Sequence, residues 1–334
     1  MSKTWLLKAL RWTACVLLTI TTFSCCTQKK APAHTSEGGM PVVVPTFDAD
    51  TAFAAVAVQC AFGPRVPGTD AHRLCGDFLE ECLRNCGATV ISQSMDLKAY
   101  DGTPLPSHNI IGQFAPEKRK RVLLCSHWDS RPWADNDPDP SKHRTPIEGA
   151  NDGASGVGVL LEVARQLSLQ PTAIGIDIIF FDAEDAGMHQ DDNGPYVENS
   201  WCLGSQYWAR HPHTDDYMAR YGILLDMVGG KDARFCQERL SRHYAKSIVD
   251  KVWDAAHAIG FGNFFPYAMG SYVTDDHLPV NEKAHIPCID IIPYDEHDGF
   301  APTWHTVSDD IHHIDPTTLR AVGQTILQVI YNEK

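Results

Sequence analysis

Four stretches of this 334-residue chain are almost continuously apolar and β-branched, and each breaks off into polar residues. They are RVLLCSHWDS (121–130), IGIDIIFFDAED (174–185), YGILLDMVGG (221–230) and IPCIDIIPYDE (286–296). Such runs, lacking polar alternation, predict strands buried on both faces. Elsewhere the apolar spacing becomes that of a helix. GASGVGVLLEVARQLS (153–168), LGSQYWARH (203–211), RLSRHYAKSIVDKVWDAAHAIG (239–260) and DPTTLRAVGQTILQVIYNE (315–333) predict helices. A further helix is predicted where apolar positions recur at 71, 74/75, 78/79, 82/83 and 86. Cys75, Cys82 and Cys86 lie on that stripe, so they are expected to pack in a core. Strands alternating with helices predict an α/β fold with a sheet covered on both faces. There is no internal repeat and no second linker, so residues 46–334 read as a single catalytic-sized domain.

The first residues follow another pattern. Lys3, Lys8 and Arg11 precede an apolar stretch from 12 to 23, and Ser24-Cys25 closes it. That layout predicts a lipoprotein-type signal peptide over 1–24, with Cys25 as the lipidated first residue and 25–45 as a tether. An ordinary signal peptide is the alternative. Either predicts export, and the lack of an acidic run just after Cys25 (CCTQKK) predicts a periplasm-facing protein. The formal net charge of −14 argues against nucleic acid or an anionic membrane surface as a main partner. Set Cys15 and Cys25 aside and nine cysteines remain, an odd number with no pair at zinc-knuckle spacing. Any metal must therefore be held by oxygen and imidazole.

Ligands of open α/β sheets bind beyond the carboxyl ends of the strands. Ionisable residues concentrate there: His127 and Asp129, Glu184 and Asp185, Asp226, and Asp295, Glu296 and His297. Asp182, Glu184 and Asp185 crowd three carboxylates into four residues, a repulsion that needs a compensating charge. Two further segments complete the set. GANDGASG (149–156) places Asp152 before a helix start built of small residues, and TWHTVSDD (303–310) carries His305 beyond the fourth strand. Taken singly, the Asp-Gly pair reads as a turn and Glu184-Asp185 as a solvated helix cap. Together the segments supply the imidazole and carboxylate donors, drawn from separate elements, of a hydrolytic zinc site.

The order His-x-Asp, Asp-Gly, paired acids after a strand, strand-end Asp and late His resembles the zinc aminopeptidase superfamily. More closely it resembles the bacterial glutaminyl-peptide cyclotransferases, or glutaminyl cyclases, over roughly residues 50–332. The resemblance implies an α/β/α sandwich around a central mixed, mostly parallel sheet. It implies one zinc held by Asp152, Asp185 and His305, and Glu184 as the residue that transfers protons. Asp226 and Asp275 would form a hydrogen-bonded acidic pair near the substrate amide, and Trp304 would line the pocket. His127 would be a vestigial or second-metal ligand, ordering a loop together with Asp129. The implied reaction closes an N-terminal Gln of peptides or exported proteins to pyroglutamate and releases ammonia. Two other readings stay open. A two-zinc aminopeptidase would use His127 and Asp226 on one metal, Asp185 and His305 on another, and Asp152 as bridge. A non-catalytic surface lipoprotein would keep the fold for binding alone. The loops 131–152 and 186–203 are expected to frame the site, the latter as a solvated rim or a weak cation site.

Overall fold

The computed structural model describes residues 42–334 except 193, 196, 198 and 295–298. The expected signal peptide, Cys25, most of the tether, and Asp295, Glu296 and His297 lie outside the described residues. Residues 42–334 form one compact unit. The carbonyls of Val43 and Pro45 accept hydrogen bonds from Gln170 and Gln324, so the chain is fastened to the domain from about its first described residues.

Two helices, α1 (Ala49–Ala61) and α2 (Asp70–Asn85), precede a hairpin of β1 (Thr89–Lys98) and β2 (Pro104–Phe114). Then come β3 (Arg121–His127), α3 (Ala154–Leu169), β4 (Gly175–Phe181), α4 (Leu203–Arg210) and β5 (Gly222–Leu225). The chain ends with α5 (Arg239–Ala258), α6 (His277–Glu282), β6 (Cys288–Ile291) and α7 (Pro316–Tyr331). The sheet runs β1-β2-β4-β3-β5-β6. The pairs β4–β3, β3–β5 and β5–β6 are parallel, and β1–β2 and β2–β4 are antiparallel. This is the mixed, mostly parallel sheet that was expected.

Residues of opposite parity explain the two helical layers. Val122, Leu124, Ile176, Ile178, Phe180, Ile223 and Leu225 face a large core shared with α1, α2, α3, α5 and α7. Leu123, Cys125, Ile179, Phe181 and Leu224 face a smaller one closed by Trp208 of α4 and Val280 of α6. Helix α3 is buried along most of its length, and its Gly158 is required: a Cβ there would lie 2.6 Å from Val56 Cγ2 of α1. Cys75 is fully buried and Cys82 and Cys86 are half-buried against the same core, as the helical stripe predicted. Cys60, Cys75, Cys82, Cys86, Cys125, Cys202 and Cys288 are free thiols.

The four predicted strands are present but shorter than their apolar runs. β3 ends at His127, β4 at Phe181, β5 at Leu225 and β6 at Ile291. All four run in one direction, so the polar tails of those runs become loops gathered along a single edge of the sheet.

Candidate active site

Each loop at that edge is tied to another by a buried carboxylate. Beyond β3, Asp129 accepts the backbone N–H groups of Glu184 and Asp185, both at 3.1 Å. Asp309 accepts those of Asn151 and Asp152 at 2.8 and 3.0 Å. Gly153, at φ 95°, turns the chain into α3 so tightly that a Cβ would lie 2.6 Å from the Asp129 carbonyl oxygen. Ala183, Met227 and His305 all hold the left-handed φ region, at 52°, 49° and 53°. Non-glycine residues adopt it only where surrounding contacts enforce it, and here each borders or belongs to the set of site side chains.

The loops bring Asp152, Asp185 and His305 together. His305 Nε2 is 3.4 Å from Asp152 Oδ2 and 3.1 Å from Asp185 Oδ1, and the three donor atoms lie within 4.8 Å of one another. All three residues are buried, and Asp185 Oδ2 meets no hydrogen-bond partner. Two carboxylates and one imidazole, buried with an orphaned oxygen among them, form a donor set that fits zinc. Behind them Arg131 is buried. It binds Asp135 and the Asp185 carbonyl at 3.0 Å, and its guanidinium lies 4.5 Å from the Trp201 ring. His305 lies face-on to both Trp304 and Trp201, at 3.9 and 6.0 Å between ring centres.

His127 Nε2 stands 3.0 Å from Asp152 Oδ1 and 3.1 Å from Asp226 Oδ1. That makes a second group able to hold a metal, with Asp152 common to both. Burial works against the charge on His127, yet hydrogen bonding to Asp129, Asp152 and Asp226 holds its protonation well above the ordinary range. Burial also opposes the charge on Asp152, but the two histidines keep its carboxyl below the usual values.

Glu184, Asp226 and Asp275 line a cavity of about 250 Å³ with Trp304 and Trp201. Burial first, then the adjacent Asp185 carboxylate, pushes Glu184 well above the normal glutamate range. Burial likewise lifts Asp226 to about 8 and raises Asp275. Asp226 Oδ1 faces His127 at 3.1 Å, and Asp275 Oδ1 accepts the backbone N–H of Asp276 at 2.5 Å.

One carboxylate of the acidic turn 182–185 is satisfied by hydrogen bonds away from the candidate metal group. Asp182 turns to the opposite side of the turn, where His72 Nε2 meets its two oxygens at 3.0 and 2.9 Å. The backbone N–H groups of His108 and Ala183 complete its shell at 2.7 and 2.8 Å. His72 comes from α2, more than a hundred residues away, so no local signal announced it. Asp129 does order a loop, as expected of the His-x-Asp segment. Asp309, Arg131, Asp135, Trp201 and Cys202 were missed, because their contacts exist only once the loops have folded. The loops 131–152 and 186–203 do pack together, through Arg144–Asp192 at 2.6 Å and His143–Asp191 at 2.8 Å.

Comparison with known proteins places this geometry. Residues 109–330 match the sequence profile of peptidase family M28. The crystal structure of Bacteroides thetaiotaomicron glutaminyl cyclase bound to N-acetylhistamine is 56% identical, with a TM-score of 0.87 over 87% of this chain and 100% of that one. The Drosophila melanogaster glutaminyl-peptide cyclotransferase is 26% identical over 76% of this chain and 73% of its own length. Aminopeptidase YwaD of Bacillus subtilis is 30% identical over 71% of this chain, which spans only 47% of that protein.

Proposed function

The chain belongs to peptidase family M28, and from that premise we propose that it is a zinc-dependent glutaminyl-peptide cyclotransferase. It converts an N-terminal Gln of peptides or proteins to pyroglutamate and releases ammonia. The observation that carries this reading is the 56% identity, over the whole length of the solved chain, to a glutaminyl cyclase. The small aromatic-walled cavity over the Asp152, Asp185 and His305 group supports it.

Asp152, Asp185 and His305 would hold zinc, which would supply Lewis acidity toward the substrate's γ-carboxamide. The nucleophile is the substrate's own α-amine, and intramolecular attack can reach effective molarities of about 10⁵–10⁸ M in favourable geometry. No activated water is needed, so one metal suffices. Glu184 accepts a proton from the attacking amine and delivers it to the departing amide nitrogen, which leaves as ammonia. Asp226 and Asp275 receive N–H groups of the substrate, and Trp304 walls the Gln side chain. Asp129 and Asp309 set the backbone of the residues that do this.

A two-zinc aminopeptidase is the second reading, favoured by the His127, Asp152 and Asp226 group. A Gln-initiated peptide separates the two. Ammonia released without free amino acid supports cyclisation, whereas a shortened peptide refutes it. One zinc per chain supports the cyclase and two the peptidase. We further propose, from the basic and apolar N-terminus ending in Ser24-Cys25, that the protein is exported and lipid-anchored at Cys25 facing the periplasm. Labelled palmitate should enter the protein and fail to enter C25A.

A further inference from the structure

The carboxyl group of Glu184 is met by a thiol. Cys202 Sγ lies 3.3 Å from Glu184 Oε1, and both residues are buried. The backbone builds this contact. Cys202 N–H donates to the Glu184 carbonyl at 2.9 Å, Leu203 N–H to that of Ala183 at 3.1 Å, and Gly204 N–H to that of Asp182 at 3.0 Å. The chain entering α4 therefore runs along the acidic turn bond for bond. Cys202 takes the left-handed conformation, φ 57° and ψ 35°, to make the approach. Gly204 leaves no room for a side chain, since a Cβ would lie 2.1 Å from the Asp182 carbonyl oxygen.

The chemistry of the three groups is complementary. Burial keeps the Cys202 thiol protonated, so it is a donor rather than a nucleophile. Donor atoms of Glu184, Cys202 and Asp275 lie within 4.8 Å of one another, and Asp275 Oδ2 is buried without a partner beside them. Oε1 of Glu184 is engaged by the thiol, and Glu184 lines the cavity beside Asp226, Asp275 and Trp304.

We infer that Cys202 is a positioning residue for Glu184. Its S–H holds Oε1 and so fixes the terminal torsion of the glutamate, leaving Oε2 for the substrate. That torsion is intrinsically broad in glutamate. A carboxyl free to rotate spends less time where it can take the proton, which lowers the rate of the chemical step without weakening substrate binding. Serine can donate the same hydrogen bond, whereas alanine cannot.

The inference rests on Glu184 as the proton carrier, and a comparison of zinc-loaded wild-type, C202A and C202S proteins on a Gln-initiated peptide tests it. C202A should keep its zinc and its KM within about twofold while kcat falls about tenfold or more, and C202S should recover most of the loss. Equal kcat in all three overturns the inference. So do equal losses in C202A and C202S, or a loss accompanied by loss of zinc or a rise in KM, since those outcomes assign Cys202 to packing alone. Failure of the cyclase reading shows separately, in a wild-type protein that shortens the peptide. The same three-way comparison, run on hydrolysis, then decides the role of Cys202.

Discussion

Asp129 carries the turn that presents both Glu184 and Asp185, and its removal should be costly in a calculable way. Its two oxygens accept two backbone N–H groups at 3.1 Å inside a fully buried site. A hydrogen bond to a charged group contributes about 1.5–3 kcal/mol. Asp129→Ala leaves both donors orphaned, so it should destabilise the protein by about 3–6 kcal/mol. Asp129→Asn is nearly isosteric and keeps one acceptor oxygen, but its amide nitrogen then confronts the second N–H, donor against donor. It should lose about half as much, roughly 1.5–3 kcal/mol. Urea unfolding of the three proteins at one fixed saturating zinc concentration measures the difference, because bound metal adds its own stabilisation. Displacement of Glu184 by even ~1 Å should also lower kcat by about 10²-fold in the alanine variant. An alanine variant within about 1 kcal/mol of wild type, or one no less stable than the asparagine variant, would refute the claim that this carboxylate holds the turn.

Glu184→Gln should abolish ammonia release by roughly 10²–10⁴-fold with zinc content unchanged in elemental analysis; turnover at the wild-type rate would remove its assigned role. His305→Ala and Asp185→Ala should each emerge without zinc, while His127→Ala keeps it, and loss of one of two ions from His127→Ala would favour the peptidase. Because an α-amine attacks only when unprotonated and its pKa is about 7.7–8.0, kcat/KM should climb from acid to mildly alkaline pH, and a flat profile would exclude amine attack. Near the C-terminus, burial opposes the charge on Glu333, but Lys251 and Tyr221 hold its carboxyl below the ordinary value of 4.5. A depressed carboxylate stabilises the fold above its unfolded pKa, and that contribution is lost as pH falls through the folded one. Glu333→Gln should therefore be less stable than wild type at neutral pH, with the gap narrowing below about pH 4.5 in thermal melts.

The core strands and most helices were legible because their signals are local. An apolar run buried on both faces has no polar alternation, and α2, α3, α5 and α7 show their spacing within their own residues. The outer hairpin was not legible. β1 lies at the sheet edge with burial confined to part of one face, so its residues are mostly polar, and β2 draws its burial from neighbours only the fold supplies. Helix α1 was missed as well, since its small residues, Ala52, Ala54 and Ala55 among them, are apolar on several sides rather than along one stripe.

At the site, the residue types that carry chemistry could be named from the chain alone. Imidazole and carboxylate following buried strands mark a place where charge must be balanced, and Asp152, Glu184, Asp185, Asp226 and His305 do meet at one edge. What balances each charge was decided only by folding. Asp182 belongs to the same acidic stretch as Glu184 and Asp185, yet it is turned away and hydrogen-bonded to His72. Asp129 and Asp309 act on residues 55 and 158 positions distant, and Cys202 on one 18 away. A sequence records which groups dislike being buried alone, because that is a property of the group. Which partner relieves each one is a property of distance, and distance between loops exists only after the sheet has brought their strands side by side.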